Sequence, residues 1–173
     1  MIKPPAPITH NFTDDGRIPN NPTLPLILYR GGIDLAGSPD PEDVIEKKFA
    51  ANSWGDMWRN GIYPYVHYHS MIHEVMGVAR GRATVRFGGE HGREIEIVPG
   101  DVVILPAGTG HQCLKQTPTL VVVGAYPPSG KYNLCRGSKA EHTKALATIR
   151  AVSPPAVDPV FGPDGPLLAL WRE

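Results

Sequence analysis

From Leu26 to Tyr126 the chain alternates short apolar runs with turn residues, and most of those runs read as strands. Leu26-Ile27-Leu28-Tyr29-Arg30 is the first, stopped by Gly31-Gly32. Glu74 to Ala79 is another, with Met76 and Val78 on the face of Glu74. Ala83, Val85 and Phe87 then alternate with Thr84 and Arg86, and Arg93 to Val98 alternates again. These are two half-buried strands joined by the Gly88–Gly92 loop, with His91 in solvent at its tip. Val102-Val103-Ile104-Leu105 is short and wholly apolar, as a strand buried on both faces requires. Thr119 to Tyr126 is a further apolar strand, ended by Pro127-Pro128-Ser129-Gly130. Strands at this spacing, with glycine and proline between them, predict an all-β sandwich or barrel.

Two segments break the pattern with helical spacing. Ser38 to Asn52 predicts a helix capped by Asp40, with Pro41 in its first turn and Val44, Ile45 and Phe49 on the buried stripe. Gly55 is the expected stop, and Trp54 and Trp58 on either side of it are expected to pack, with lining a ligand entrance as the alternative. Residues 138–151 predict a second helix, because Ser138 with Glu141 three places on forms a capping box. Residues 1–25 are punctuated by proline and read as an ordered arm lying on the barrel or on a neighbouring subunit. Residues 152–173 end in Leu167-Leu168-Ala169-Leu170-Trp171 and predict an edge strand that can dock across a dimer.

Composition narrows the classes. The 173 residues fit one domain, and the formal net charge of zero gives no reason to expect nucleic acid or an anionic membrane as partner. Cys113 and Cys135 have no metal-finger or redox spacing. The N-terminus has no apolar core of a signal peptide, so a reduced, cytoplasmic setting is expected.

The chemistry concentrates in Gly61 to Gly81 and Gly100 to His111. On a strand, His67 and His69 would share one face with Cα atoms about 6–7 Å apart, a good spacing for two imidazoles on one ion. Glu74 follows after a short turn, and His111 arrives on another strand behind Pro106-Ala107-Gly108. Three imidazoles and one carboxylate suit a divalent first-row metal. By the same alternation Tyr63 and Tyr65 face the histidines, where their hydroxyls orient a substrate or their rings simply fill the barrel. Met76 and Cys113 are also placed on the cavity wall. His73 should face away, as a residue behind the ligands or at the surface, and can replace a ligand only if the turn from Ser70 is irregular. Lys115 can meet an anion or lie in solvent.

These residues resemble the cupin superfamily. Gly61, His67, His69, Glu74 and Gly81 fill every fixed place of its first motif, and Gly100, Pro106, Gly108 and His111 match its second. Lys115 stands where the second motif has asparagine, a place that holds no metal ligand. The text around the motifs is similar to the small bacterial cupins of the YjlB type. The resemblance implies a mainly β double-stranded β-helix, the cupin jelly-roll barrel, with one N-terminal and one C-terminal helix.

It also implies one divalent metal ion per chain at His67, His69, Glu74 and His111, with iron, manganese, nickel and zinc not distinguished. A dioxygenase-like oxidoreductase acting on a small polar molecule is the expected function, in a homodimer. A metal-dependent isomerase or decarboxylase, or a barrel that only binds a small ligand, stands as the alternative.

Overall fold

The computed structural model describes residues 3–172. Met1, Ile2 and Glu173, the ends of the predicted arm and C-terminal extension, lie outside the described residues. Nine strands form two sheets. The larger contains β1 (Ile8–His10), β2 (Leu26–Tyr29), β3 (Gly55–Asn60), β4 (Glu74–Arg80), β7 (Val102–Leu105) and β9 (Val121–Tyr126), in the order β1-β2-β7-β4-β9-β3. The smaller contains β5 (Ala83–Phe87), β6 (Arg93–Ile97) and β8 (His111–Gln116), in the order β6-β5-β8. All the strand pairings are antiparallel. The chain therefore crosses between sheets from β4 to β5, returns from β6 to β7, crosses again to β8 and returns to β9. This is the mainly β roll that the hydrophobic pattern predicts.

Alternation in the larger sheet divides its side chains between two cores. Leu26, Leu28, Met76, Val78, Val103, Leu105 and Val122 face the smaller sheet and pack with Ala83, Val85, Phe87, Ile95 and Ile97. Ile27, Tyr29, Val75, Val102, Ile104, Val123 and Ala125 face the other way and are covered by helices. β7 is buried on both faces for this reason.

Helix α1 (Pro41–Ala51) begins as predicted. Asp40 accepts the Asp43 N–H, and Pro41 occupies the first turn. Ile45 and Phe49 lie on β4 at Gly77, where a Cβ would fall 2.8 Å from Ile45 Cγ2. The predicted stop is misplaced: Asn52 ends α1, Ser53 takes positive φ, and Gly55 starts the edge strand β3, which the sequence pattern did not show. Helix α2 (Lys139–Ala151) carries the predicted capping box and buries Ala145 and Ile149. Among the described residues no helix is long and apolar enough to cross a membrane.

The C-terminal segment is not an edge strand. It forms the short helix α3 (Pro166–Leu170), with Leu167 and the following Trp171 buried one turn apart. The buried Asp158 explains the difference. Its carboxylate accepts the N–H groups of Val160, Phe161 and Leu167 and the Tyr29 hydroxyl. Those bonds fold the segment onto the helical side of the sheet and leave no backbone row free to pair.

The N-terminal arm is ordered, as expected, and lies on its own barrel. Its β1 pairs with β2. The Asn20 side chain donates to the carbonyls of Thr13 and Gly88 and accepts the Gly110 N–H, while Asn21 donates to the Ala107 carbonyl. The arm thus braces the turn between β7 and β8.

Candidate metal centre

The segment 61–73 is not the regular strand that alternation predicted. Pro64 interrupts it, and within it only His67 and Tyr68 make bridges, to His111 and Cys135. The bridge to His111 is the useful one. His67 and His111 exchange both backbone hydrogen bonds, at 3.1 and 2.9 Å, which sets their rings side by side with centroids 3.9 Å apart. Glu74 opens β4 and His111 opens β8, so one group comes from each sheet. Constrained turns thus do the positioning that was expected of a strand.

His67, His69 and His111 are all buried, and each offers a ring nitrogen within 4.8 Å of the others'. Their Nδ1 atoms face the carbonyls of Tyr65 (3.1 Å), Asn133 (2.6 Å) and Thr109 (3.0 Å) respectively. A carbonyl only accepts, so each Nδ1 carries the proton and each Nε2 presents a lone pair. Glu74 Oε2 lies 3.5 Å from His69 Nε2, and Oε1 lies 3.4 Å from His111 Nε2. The latter is a close approach without an aligned proton, and Oε1 is buried with no hydrogen-bond partner. Glu74 is not within 4.8 Å of all three nitrogens and closes the fourth side of the group.

Converging lone pairs around an unpartnered carboxylate oxygen repel one another unless a cation sits between them. The donor set therefore fits a divalent ion, which at about 2.0–2.2 Å from each donor would bring neighbouring donors to roughly 3–4 Å from one another. The proton equilibria tell the same story. Burial and then the neighbouring His111 push His67 down to about 3. Burial also pulls on His69, but the Glu74 carboxylate outweighs it and holds His69 above its ordinary value. Burial would raise Glu74, yet His69 and His111 hold it well below the usual carboxylate range. The site retains a negative carboxylate and seeks positive charge.

A cavity of about 990 Å³ opens over the group. Tyr63 and Met76 line it, as predicted. Tyr65 does not: it stacks behind Tyr63, centroids 4.8 Å apart, with the Arg136 guanidinium 3.6 Å above its other face. Cys113 does not line it either. It keeps the parity of His111 and pairs with Val85, but its side chain packs into the core between the sheets. His73, expected behind the ligands or at the surface, is fully buried against Trp171, with Nδ1 accepting the Ala107 N–H at 2.9 Å; burial pushes it down to about 4. Lys115 and His91 are exposed.

Tyr126 and Tyr132 line the cavity and were missed; Trp58 lines it too, where packing was the favoured expectation and a ligand entrance the alternative. Trp58 lies flat on Gly124, its register partner, and donates its indole N–H to the Tyr126 hydroxyl at 3.0 Å. That bond occupies a Tyr126 lone pair and leaves the hydroxyl proton free to turn towards the cavity. Asn133 was missed too. Besides holding His69 through its carbonyl, its side chain accepts the N–H groups of Ser70 and Met71.

No family model matches the chain. It is 39% identical over 163 residues to "Uncharacterized protein YjlB" of Bacillus subtilis (strain 168), covering 94% of this chain and 95% of that one. The chain belongs to the YjlB family. Solved structures similar to this YjlB-family chain include an acireductone dioxygenase from Bacillus anthracis with a cadmium ion in its active centre, at 14% identity and TM-score 0.41 over 61% of this chain and 80% of that one. Another is a Klebsiella pneumoniae subsp. pneumoniae protein with a double-stranded β-helix domain, at 14% identity and TM-score 0.36 over 79% and 84% of the two chains. In this family member the fold rests on its own topology: two antiparallel sheets, with the chain crossing between them in the manner of a double-stranded β-helix.

Proposed function

We propose that this protein is a metal-dependent enzyme that holds one divalent ion at His67, His69, His111 and Glu74 and acts on a small molecule in the cavity above it. Within that class we favour a dioxygenase-like oxidoreductase. The observation that carries the metal reading is the locked tautomer of all three histidines, with every Nδ1 turned to a carbonyl. Such partners orient imidazole ligands and make them better donors.

When bound, the metal supplies Lewis acidity and, if it is iron, manganese or nickel, access to redox chemistry. The chain's own residues do the rest. Glu74 offsets part of the metal's charge, and Met76 and Tyr126 wall the space beside it. Tyr126 offers a hydrogen bond from a hydroxyl that Trp58 has oriented. Burial, and then the charge of Glu74, hold that phenol above its ordinary range, so it serves as a donor and not as an anion. We place the protein in the cytoplasm as a homodimer.

The test is elemental mass spectrometry of the purified protein beside His67→Ala and His111→Ala. Iron, manganese or nickel near one per chain, lost in both variants, is the expected result. It would be followed by oxygen uptake over small thiols, diketones, phenols and oxy-acids. Stoichiometric zinc would redirect the assignment to an isomerase or decarboxylase. No metal after chelator-free purification and reloading would overturn the metalloenzyme and leave a binding barrel.

A further inference from the structure

The cavity wall has a charge pattern that the metal centre does not explain. Among the described residues no lysine or arginine lines it, and its only carboxylates are Glu74 on the floor and Asp56 at the mouth. The depth assignment follows from burial: Glu74 is 3% exposed, whereas Asp56, Tyr63 and Tyr132 are exposed. The nearby cations lie outside the lining. Arg59 lies between the lining residues Trp58 and Asn60, yet it turns to Glu46 on α1 at 2.6 and 3.0 Å. Arg136 is stacked on Tyr65, and Lys131 sits between Gly130 and Tyr132 without joining the wall.

The upper wall is aromatic. Tyr63, Trp58 and Tyr132 present rings between mouth and floor. Aromatic faces attract cations and stack on flat groups. Asp56 adds a negative charge and makes no hydrogen bond or ion pair with any described residue. Its φ of 52°, in the bulge between Gly55 and Trp58 of β3, sets it at the rim beside Ser53, which is also left-handed at 66°.

A divalent ion with one carboxylate ligand leaves one net positive charge at the floor, enough for one anionic oxygen. Any second anionic group would meet aromatic rings and the like charge of Asp56 at the mouth, with no lysine or arginine on the wall to pair with it. We propose that the cavity selects a ligand with an oxygen-donor head and a flat tail that is neutral or positively charged, and that Asp56 reads the positive charge. Phosphorylated and polycarboxylate molecules are excluded. The head assignment rests on the metal reading above; the tail assignment does not.

The test uses three compounds with one head and different tails: catechol, 3,4-dihydroxyphenylethylamine and 3,4-dihydroxyphenylacetate. Binding is titrated without oxygen, by calorimetry, to zinc-loaded wild type and to Asp56→Asn, with the metal content of each sample measured. Asparagine tolerates positive φ, so the variant keeps the bulge. The amine is expected to bind about tenfold more tightly than the acid in wild type. That preference is expected to shrink to about threefold or less in Asp56→Asn and to weaken with added salt.

An acid that binds as well as the amine overturns the proposal, as does failure of all three to bind metal-loaded protein. A preference untouched by Asp56→Asn overturns the role of Asp56. If the protein retains no metal but still prefers the amine, the metal reading fails and the tail assignment stands. If it retains no metal and binds none of the three, both fail.

Discussion

His73 Nδ1 accepts the Ala107 N–H at 2.9 Å, so the residue before Glu74 holds the turn that leads to His111. One buried hydrogen bond thereby joins the two halves of the metal centre. His73→Ala removes a fully buried ring packed on Trp171 and leaves the Ala107 N–H without its acceptor. A loss of about 3 kcal/mol is expected from the cavity and the orphaned donor together. Urea unfolding measures it, and a chelator titration should show weaker metal binding in the same variant.

Asn133 holds His69 in place from a segment far along the chain. Its carbonyl takes the His69 Nδ1 proton, and its side chain ties down Ser70 and Met71 and donates to the Ser70 hydroxyl at 2.8 Å. Asn133→Ala should loosen that anchor and weaken metal binding roughly tenfold, with little change in secondary structure. Competition with a chromogenic chelator, with circular dichroism alongside, checks both parts.

Gly124 is required by the indole above it. A Cβ there would fall 1.9 Å from Trp58 Cε2. Gly124→Ala should lift Trp58 off β9, break its bond to Tyr126 and cost about 1–3 kcal/mol. A shifted Trp58 fluorescence maximum and a lower unfolding midpoint are the expected signs. Trp58→Phe, which removes the donor and part of the ring packed on Gly124, should cost some stability and free the Tyr126 hydroxyl.

Acid should weaken the packing of α1 on the sheet. The Arg80 guanidinium bonds the Glu42 carboxylate and holds it below the usual carboxylate range, more than offsetting burial. A depressed folded pKa means that the unfolded chain takes up the proton first. The contribution is therefore present above about pH 4.5 and is lost as pH falls below it. Glu42→Gln should unfold at lower urea than wild type at pH 7, and the gap should be smaller at pH 3. Urea curves at the two pH values decide it.

How much of this was legible beforehand differs by element. Val102–Leu105 was readable as a doubly buried strand because both faces of β7 are covered, so every position must be apolar. The caps at Asp40 and Ser138 were readable because capping is a contact within three residues. The segment 61–73 misled because period-two spacing of aromatic and histidine residues also arises where turns, not a ladder, set the direction. The C-terminal segment misled because its apolar run fits a strand until Asp158 claims its N–H groups.

The residues proposed to hold a metal stand in two short local motifs. His67, His69, Glu74 and His111 stand at spacings that turn chemistry and strand starts impose, so the sequence alone marked them out. The surroundings of those groups were decided only in three dimensions. Asn133, Trp58, Gly124, Tyr126 and Asn20 act through contacts made across long stretches of chain, and no pattern within a window records such a pairing. Tyr65 and Cys113 had the parity for the wall, yet Tyr65 stacks behind Tyr63 and Cys113 packs into the core between the sheets. Spacing along a chain specifies which residues can meet an ion; only the closing of two sheets specifies what else faces it.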